Sequence, residues 1–347
     1  YSDNNFSNQL PVPEIVKGSN VSLTTQRTTS PVNGNSIGVL GYHKGILGPT
    51  IVAERGEQVS INLKNNLEEE TNIHWHGLMI PAIMDGHPEN IVKSGDSFNY
   101  LFKVDQRAGM YWYHPHPHKN TAKQAYLGLA GVFLVADPEE KRLNLPSGSN
   151  EVPLVIQDKR LNGSSLTYNP NQNDIMTGFM GKDIIVNGVA SPVLNVSTRF
   201  YRLRVLNGSN SRVYNLAFSN NSTFTIIGSD GGLLAAPEKI NSLMLGPGER
   251  ADILVDFSAY NTGTEIYLQS NPFSGSDAQG KETFKIMKFK VSVRENNNFI
   301  LSSVLSSYKQ IPASAATKTR KFDIKGMNMP GGHGNMGNMM GGMGMNM

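Results

Sequence analysis

Thr71-Asn72-Ile73-His74-Trp75-His76-Gly77-Leu78 and, about forty residues on, Tyr111-Trp112-Tyr113-His114-Pro115-His116-Pro117-His118 are the stretches from which this chain is best read. Five of its eight histidines fall in them. On an extended strand, side chains two apart point to the same face. Two such strands, paired, bring His74, His76, His114 and His116 to one spot. Neutral imidazole suits copper, zinc, iron and nickel. One His-x-His pair is an ordinary surface feature, and His43, His87 and His333 read singly as surface histidines. Two pairs wrapped in Trp and Tyr, at positions where a short strand would bury Val or Ile, read as a metal site.

The same strand logic extends through the chain. Val59, Ile61 and Leu63 alternate with Ser60, Asn62 and Lys64, and Phe98, Tyr100, Phe102 and Val104 recur at the same period. Leu203 and Val205 alternate with Arg202 and Arg204, and Ile253 and Val255 follow suit. Short alternating runs parted by Gly, Pro and Asn predict an all-β sandwich or barrel. Asn187-Gly188, between Ile184-Ile185-Val186 and Val189, predicts a hairpin turn.

The chain also echoes itself. Residues 55–65 resemble residues 199–207, and Val92-Lys93-Ser94-Gly95-Asp96 resembles Leu245-Gly246-Pro247-Gly248-Glu249. The echoes lie about 145 to 155 residues apart, one domain length. Two related β-sandwiches are therefore expected, the first ending near Asp137-Pro138 and the second beginning near Glu151. The second copy holds no histidine, so metal chemistry is assigned to the first and a structural role to the second.

With 347 residues there is chain enough for two domains. The net charge of +3 and the lack of a basic stripe with interleaved aromatics argue against nucleic acid. No apolar run approaches the ~20 residues of a membrane-spanning helix. There is no cysteine, which excludes disulfides, zinc-thiolate sites, thiol nucleophiles and a Cys-ligated blue-copper site within these residues. The chain starts at Tyr1 with no initiator Met and no apolar signal segment, as expected of a processed, exported protein and equally of a trimmed one. The Asn-x-Ser/Thr triplets at Asn20, Asn162, Asn195, Asn207 and Asn221 read as chance in so Asn-rich a sequence.

From about residue 294 the composition shifts. After residue 326 come eight of the fifteen methionines, Met327, Met329, Met336, Met339, Met340, Met343, Met345 and Met347, among Gly and Asn with His333. Gly and Asn at this density cannot pack a core, so a linker is the plain reading. Thioethers are also soft ligands that favour Cu(I).

His74-Trp75-His76-Gly77 and His114-Pro115-His116-Pro117-His118 resemble the two N-terminal copper motifs of the multicopper oxidases, above all the copper-efflux oxidases and laccase-like enzymes of bacteria. Gly48-Pro49-Thr50-Ile51, Met84-Asp85-Gly86 and Gly128-Leu129-Ala130-Gly131 fit the same pattern, and the resemblance runs from about residue 10 to 347. It implies two tandem cupredoxin-like Greek-key β-sandwich domains: residues 1–140 with the copper motifs, residues 141–295 structural, and residues 296–347 a linker with the Met-rich tail. It implies a trinuclear copper cluster reducing O2 to water, with His74 on the type 2 copper, His76 and His114 sharing one type 3 copper, and His116 on the other. His118 would stand behind the ligands. Asp85 would deliver protons, although outside the resemblance it reads equally as a turn residue before Gly86. Met327, Met329, His333, Met336, Met339 and Met340 would recruit Cu(I).

The resemblance also shows what is lacking. The family's third cupredoxin domain supplies the type 1 copper with its Cys and the other four cluster histidines, and none of these motifs is present. Lys119-Asn120-Thr121 also departs from the usual Gly after the third histidine. The leading expectation is a portion of a periplasmic or otherwise exported oxidase of Cu(I) or phenolic reductants, serving copper detoxification, with the third domain in cis and this portion inactive alone. The alternative is a non-catalytic copper-binding or scaffold protein of the same fold, against which the intact histidines count. A two-domain enzyme completing its clusters between subunits would still need a Cys.

Overall fold

The computed structural model describes residues 5–32, 34–308 and 310–323. The described residues up to Ser307 form one compact unit; those after it contain a short 3-10 turn at Ala313–Ala315.

Two β-sandwiches follow one another in the first unit. In the first, a four-stranded sheet runs Asn35–Tyr42, Val21–Val32, Gln58–Asn65, Ser97–Lys103. It faces a five-stranded sheet in the order Ile15–Lys17, Thr50–Glu54, Gly131–Ala136, Gly109–His114, His74–His76. Strand Val21–Val32 pairs parallel with Gln58–Asn65, and Thr50–Glu54 parallel with Gly131–Ala136, so the connections cross between sheets as a Greek key requires. The alternation read in the sequence sets the core here: Val59, Ile61 and Leu63 are buried, as are Tyr100, Phe102 and Val104. Trp75 is fully buried and meets Tyr100, Phe102, Tyr113 and Phe133 at centroid distances of 5.4 to 5.9 Å. Burying an indole of this size contributes about 4–6 kcal/mol as an upper bound. The histidine strand is thus pinned to the core by its middle residue.

The second sandwich pairs a seven-stranded sheet, which includes Glu151–Lys159, Phe200–Asn207 and Arg250–Asp256, with a six-stranded one. Its strands depart from simple alternation. Arg202 and Arg204, the polar members of the alternating run, are buried along with Leu203 and Val205. The cause is the connecting segment, which covers their face. Helix Pro138–Lys141, N-capped by Asp137, brings Glu140 to within 2.5 Å of Arg202 and 2.9 Å of Arg204. Glu151 and Asp252 complete the ion network, with Arg204–Glu151 at 2.7 Å and Arg202–Asp252 at 2.5 Å.

Two further features lie beyond the reach of sequence pattern. Strand Asn8–Gln9 pairs with Pro192–Ser197, and Leu10 joins the second sandwich's core although the first sandwich follows it in sequence. Leu305, from the stretch read as linker, packs with Leu254, Ile227 and Leu233. The turn at Asn187-Gly188 forms as expected, with φ of 50° and 85° at its centre, the geometry of a type I′ hairpin.

The internal repeat is visible atom by atom. Asn65 and Asn207 end equivalent strands, and each donates its side-chain amide at 2.9 Å to a carbonyl of the following turn, Val92 or Leu245. Each caps the chain two residues on, at Leu67 or Ser209. The backbone N–H of Gly95 donates to Asn65 and that of Gly248 to Asn207, both at 2.8 Å.

Candidate metal centre

Strand His74–His76 lies at the edge of its sheet and pairs antiparallel with Gly109–His114, in the register His74↔His114, Trp75↔Tyr113, His76↔Trp112. The pleat sends Trp75 and Tyr113 into the core and His74, His76, Trp112 and His114 to the other face. His116 follows just past the strand end. The His74 ring lies 5.7 Å from His76, 5.3 Å from His114 and 5.5 Å from His116, centroid to centroid. Potential ligand atoms of His74, His76 and His114 all fall within 4.8 Å of one another.

The second nitrogens of two of these rings are held by backbone carbonyls. His74 Nδ1 donates to the Asp85 carbonyl at 2.8 Å, and His114 Nδ1 to the Pro115 carbonyl at 2.8 Å. Each bond fixes a tautomer that leaves Nε2 as an acceptor. His76 Nδ1 faces His114 Nε2 at 3.1 Å. Nδ1 of His116 is buried without a hydrogen-bond partner. Burial lowers His114 to about 3 and His76 to about 4, the latter helped by the Arg250 charge. Both rings are therefore neutral at ordinary pH, the form that binds metal. A cluster of neutral imidazoles with fixed outer hydrogen bonds fits copper or another borderline transition metal.

Asp85 caps the short 3-10 turn Ala82–Met84, and its Oδ1 lies 3.3 Å from His74 Nδ1. Burial raises its carboxyl above the usual range, against the pull of His74 and His87. His118 is exposed, on the turn before helix Thr121–Tyr126. Met327, Met329, His333, Met336, Met339 and Met340 lie outside the described residues.

Other contributors escaped the sequence reading. Asn72 is fully buried; its Oδ1 accepts from the His116 backbone N–H at 2.6 Å, and its amide donates to the carbonyls of Gly86, His87 and Asn90. Trp112 stacks on His76, 4.9 Å between centroids and 29° between planes. The second sandwich also reaches the site, where Gly248 lies against His76 and Arg250 against Tyr111. Asn72, Trp112 and Gly248 stand in quoted stretches, but the sequence reading assigned them no role at the site; only the two-residue offset of Trp112 from His114 hinted at a shared face.

Known proteins give the same picture. Residues 24–140 and 140–288 match two family models, each described as multicopper oxidase. The multicopper oxidase mco of Staphylococcus haemolyticus is 34% identical over 92% of this chain and 68% of its own length. The laccase of Bacillus subtilis is 33% identical over 92% of this chain and 72% of its own. The crystal structure of the McoA multicopper oxidase from Aquifex aeolicus superposes with a TM-score of 0.83 at 34% identity, covering 89% of this chain and 70% of that one. Four curated relatives are spanned over 60% to 72% of their own length.

Proposed function

The chain belongs to the multicopper oxidase family, and from that we propose that His74, His76, His114 and His116 hold copper as one half of a trinuclear site. The observation that carries this reading is the convergence of ligand atoms from His74, His76 and His114 within 4.8 Å. His74 is the type 2 ligand, His76 and His114 share one type 3 copper, and His116 serves the other. The 3.1 Å approach of His76 Nδ1 to His114 Nε2 supports the shared ion. Copper, when bound, supplies one-electron redox chemistry and the place where O2 is reduced by four electrons to water. The chain's own part is to present neutral imidazoles and to hold a proton nearby. Asp85, its carboxyl raised by burial and 3.3 Å from His74 Nδ1, is the proton holder. His118 is a neighbour of the ligands.

In the complete protein the reductants are Cu(I) or phenolic compounds, outside the cytoplasm, and the role is copper detoxification. Residues 1–140 are the copper-bearing cupredoxin domain, residues 141–295 the structural one, and residues 296–347 the linker whose Met327, Met329, His333, Met336, Met339 and Met340 recruit Cu(I) through soft thioethers. The chain has no cysteine. The Cys-ligated entry copper and the remaining cluster histidines then come from a third cupredoxin domain in cis, and this portion alone neither turns over nor shows the intense thiolate colour. Four intact histidines weigh against a metal-free scaffold.

The test is copper loading together with O2 consumption in the complete protein. Replacing any of the four histidines by Ala should abolish O2 reduction and lower the copper content. Deleting residues 327–347 should impair cuprous oxidation while leaving the cluster loaded. Full O2 reduction in a His114→Ala protein, or robust oxidase activity from the 347-residue chain, would refute the reading.

A further inference from the structure

The turn that carries Gly95 and the turn that carries Gly248 are two copies of one device, put to different uses. Both are anchored by the side chain of an Asn, and both glycines sit in left-handed backbone, φ +83° and +80°. A Cβ built on Gly95 would meet nothing within 4 Å. One built on Gly248 would lie 3.4 Å from His76 Cε1 and 3.7 Å from Trp112 Cζ2. The second copy of the turn therefore lies beside the ring that faces His114.

Arg250 has no counterpart in the first copy, where the equivalent position is Ser97. Its Nη1 donates to the Gly248 carbonyl at 2.9 Å and its Nε to the Met110 carbonyl at 3.1 Å. Met110 belongs to strand Gly109–His114, the strand that delivers His114. Asp230 holds the guanidinium from the other side, Oδ1 to Nη1 at 3.1 Å, and accepts the Arg250 backbone N–H at 2.7 Å. The guanidinium also packs against Gly77, the residue after His76.

We infer that the turn at residues 246–250 of the second sandwich is a positioning element for the metal centre: Gly248 forms the wall that fixes the His76 ring, and Arg250 ties that wall to the strand bearing His114. The inference rests on the copper reading of the histidine cluster. The turn lies beside the His76 ring at its Cε1 edge and beside Trp112, which stacks on that ring, and together they hold the orientation that turns Nδ1 toward His114 Nε2. Metal ligands held from outside in this way are preorganised, and loss of such support costs about 10- to 100-fold in metal affinity. A Cβ at position 248 would itself be in ordinary contact with His76, so any longer side chain there would press on the ring.

The natural control is built into the chain. Gly248→Leu and Gly95→Leu impose the same left-handed strain, but only the first puts a side chain onto His76. Arg250→Met removes the tie and leaves the turn's glycine intact. On the 347-residue chain, thermal melting should show similar losses for the two Leu variants. The 1H–13C signal of His76 Cε1–H should move in Gly248→Leu and Arg250→Met and stay in place in Gly95→Leu. Cu(II) titration should weaken by about 10- to 100-fold in the first two and remain as in the unsubstituted chain in the third. If the His76 signal in both Gly248→Leu and Arg250→Met matches that in Gly95→Leu, the inference is wrong. Should Gly248→Leu fail to fold, Arg250→Met decides alone. Absence of Cu(II) binding by the unsubstituted chain would refute the copper reading instead, and the His76 signal, which needs no metal, would still judge the wall.

Discussion

His76 Nδ1 stands 3.1 Å from His114 Nε2, across the two strands that the sequence motifs predicted would meet. Two ring nitrogens so close share one proton or one metal ion. On the 347-residue chain, His114→Ala should therefore weaken Cu(II) binding by more than the about 10- to 100-fold typical of losing an outer-shell partner. Isothermal titration or the Cu(II) electron paramagnetic resonance spectrum checks it. An unchanged spectrum would remove His114 from the ligand set.

Copper retention should persist to low pH. An ordinary imidazole loses its acceptor nitrogen below about 6.5. His76 and His114, lowered by burial to about 4 and about 3, stay neutral well beneath that. Protons should thus compete at this pair only as the pH approaches about 4. Copper release between pH 6 and 7, followed by dialysis and metal analysis, would contradict the neutral pair.

The same shifts make folding pH-dependent without metal. The folded rings bind protons less readily than the unfolded ones, so between about 3 and 6.5 the unfolded chain holds more protons. Stability from this source is complete above pH 6.5 and is lost as the pH falls toward 3. The melting temperature of metal-free protein should drop over that range, and less steeply in His114→Gln, which has no imidazole to bury.

Arg202 ties Glu140 and Asp252 together at 2.5 Å each in a buried network. Arg202→Met should leave those buried carboxylates with Arg204 as their one remaining cation in the network and cost about 3–5 kcal/mol in urea unfolding. Copper stoichiometry at neutral pH should hold, because this network lies where the connecting segment covers the second sandwich and not among the histidines. A loss below 1 kcal/mol would mean the network is relieved by water.

Asn72 staples the His116 backbone to the loop of residues 86–90. Asn72→Ala should destabilise the fold by about 1–3 kcal/mol through unsatisfied buried groups. It should also loosen His116 and weaken copper uptake, while Asn72→Asp, which keeps the acceptor for the His116 N–H, should retain more of it. Equal copper binding by Asn72→Ala and the unsubstituted chain would show that His116 is held some other way.

How much of this was legible beforehand follows from the range of the forces involved. The histidine pairs, their common face and their partner strand were readable, because strand period is local and two short motifs sufficed to name the pairing. The all-β class and the Asn187-Gly188 turn were readable for the same reason: alternation and left-handed turn residues act over a few positions. The duplication was readable as sequence echo, and Asn65 and Asn207 repeat it in their hydrogen bonds. The burial of Arg202 and Arg204 was not readable, because alternation reports which face is apolar and says nothing about a segment such as residues 138–151 that covers the polar one. Leu10 in the second core, Asn72 beneath His116, and Gly248 against His76 were decided by tertiary structure alone. Gly95 and Gly248 read alike in sequence and share a backbone conformation. One faces open space and the other a histidine ring, because that difference is made by where the second sandwich docks on the first, through contacts between residues more than a hundred positions apart.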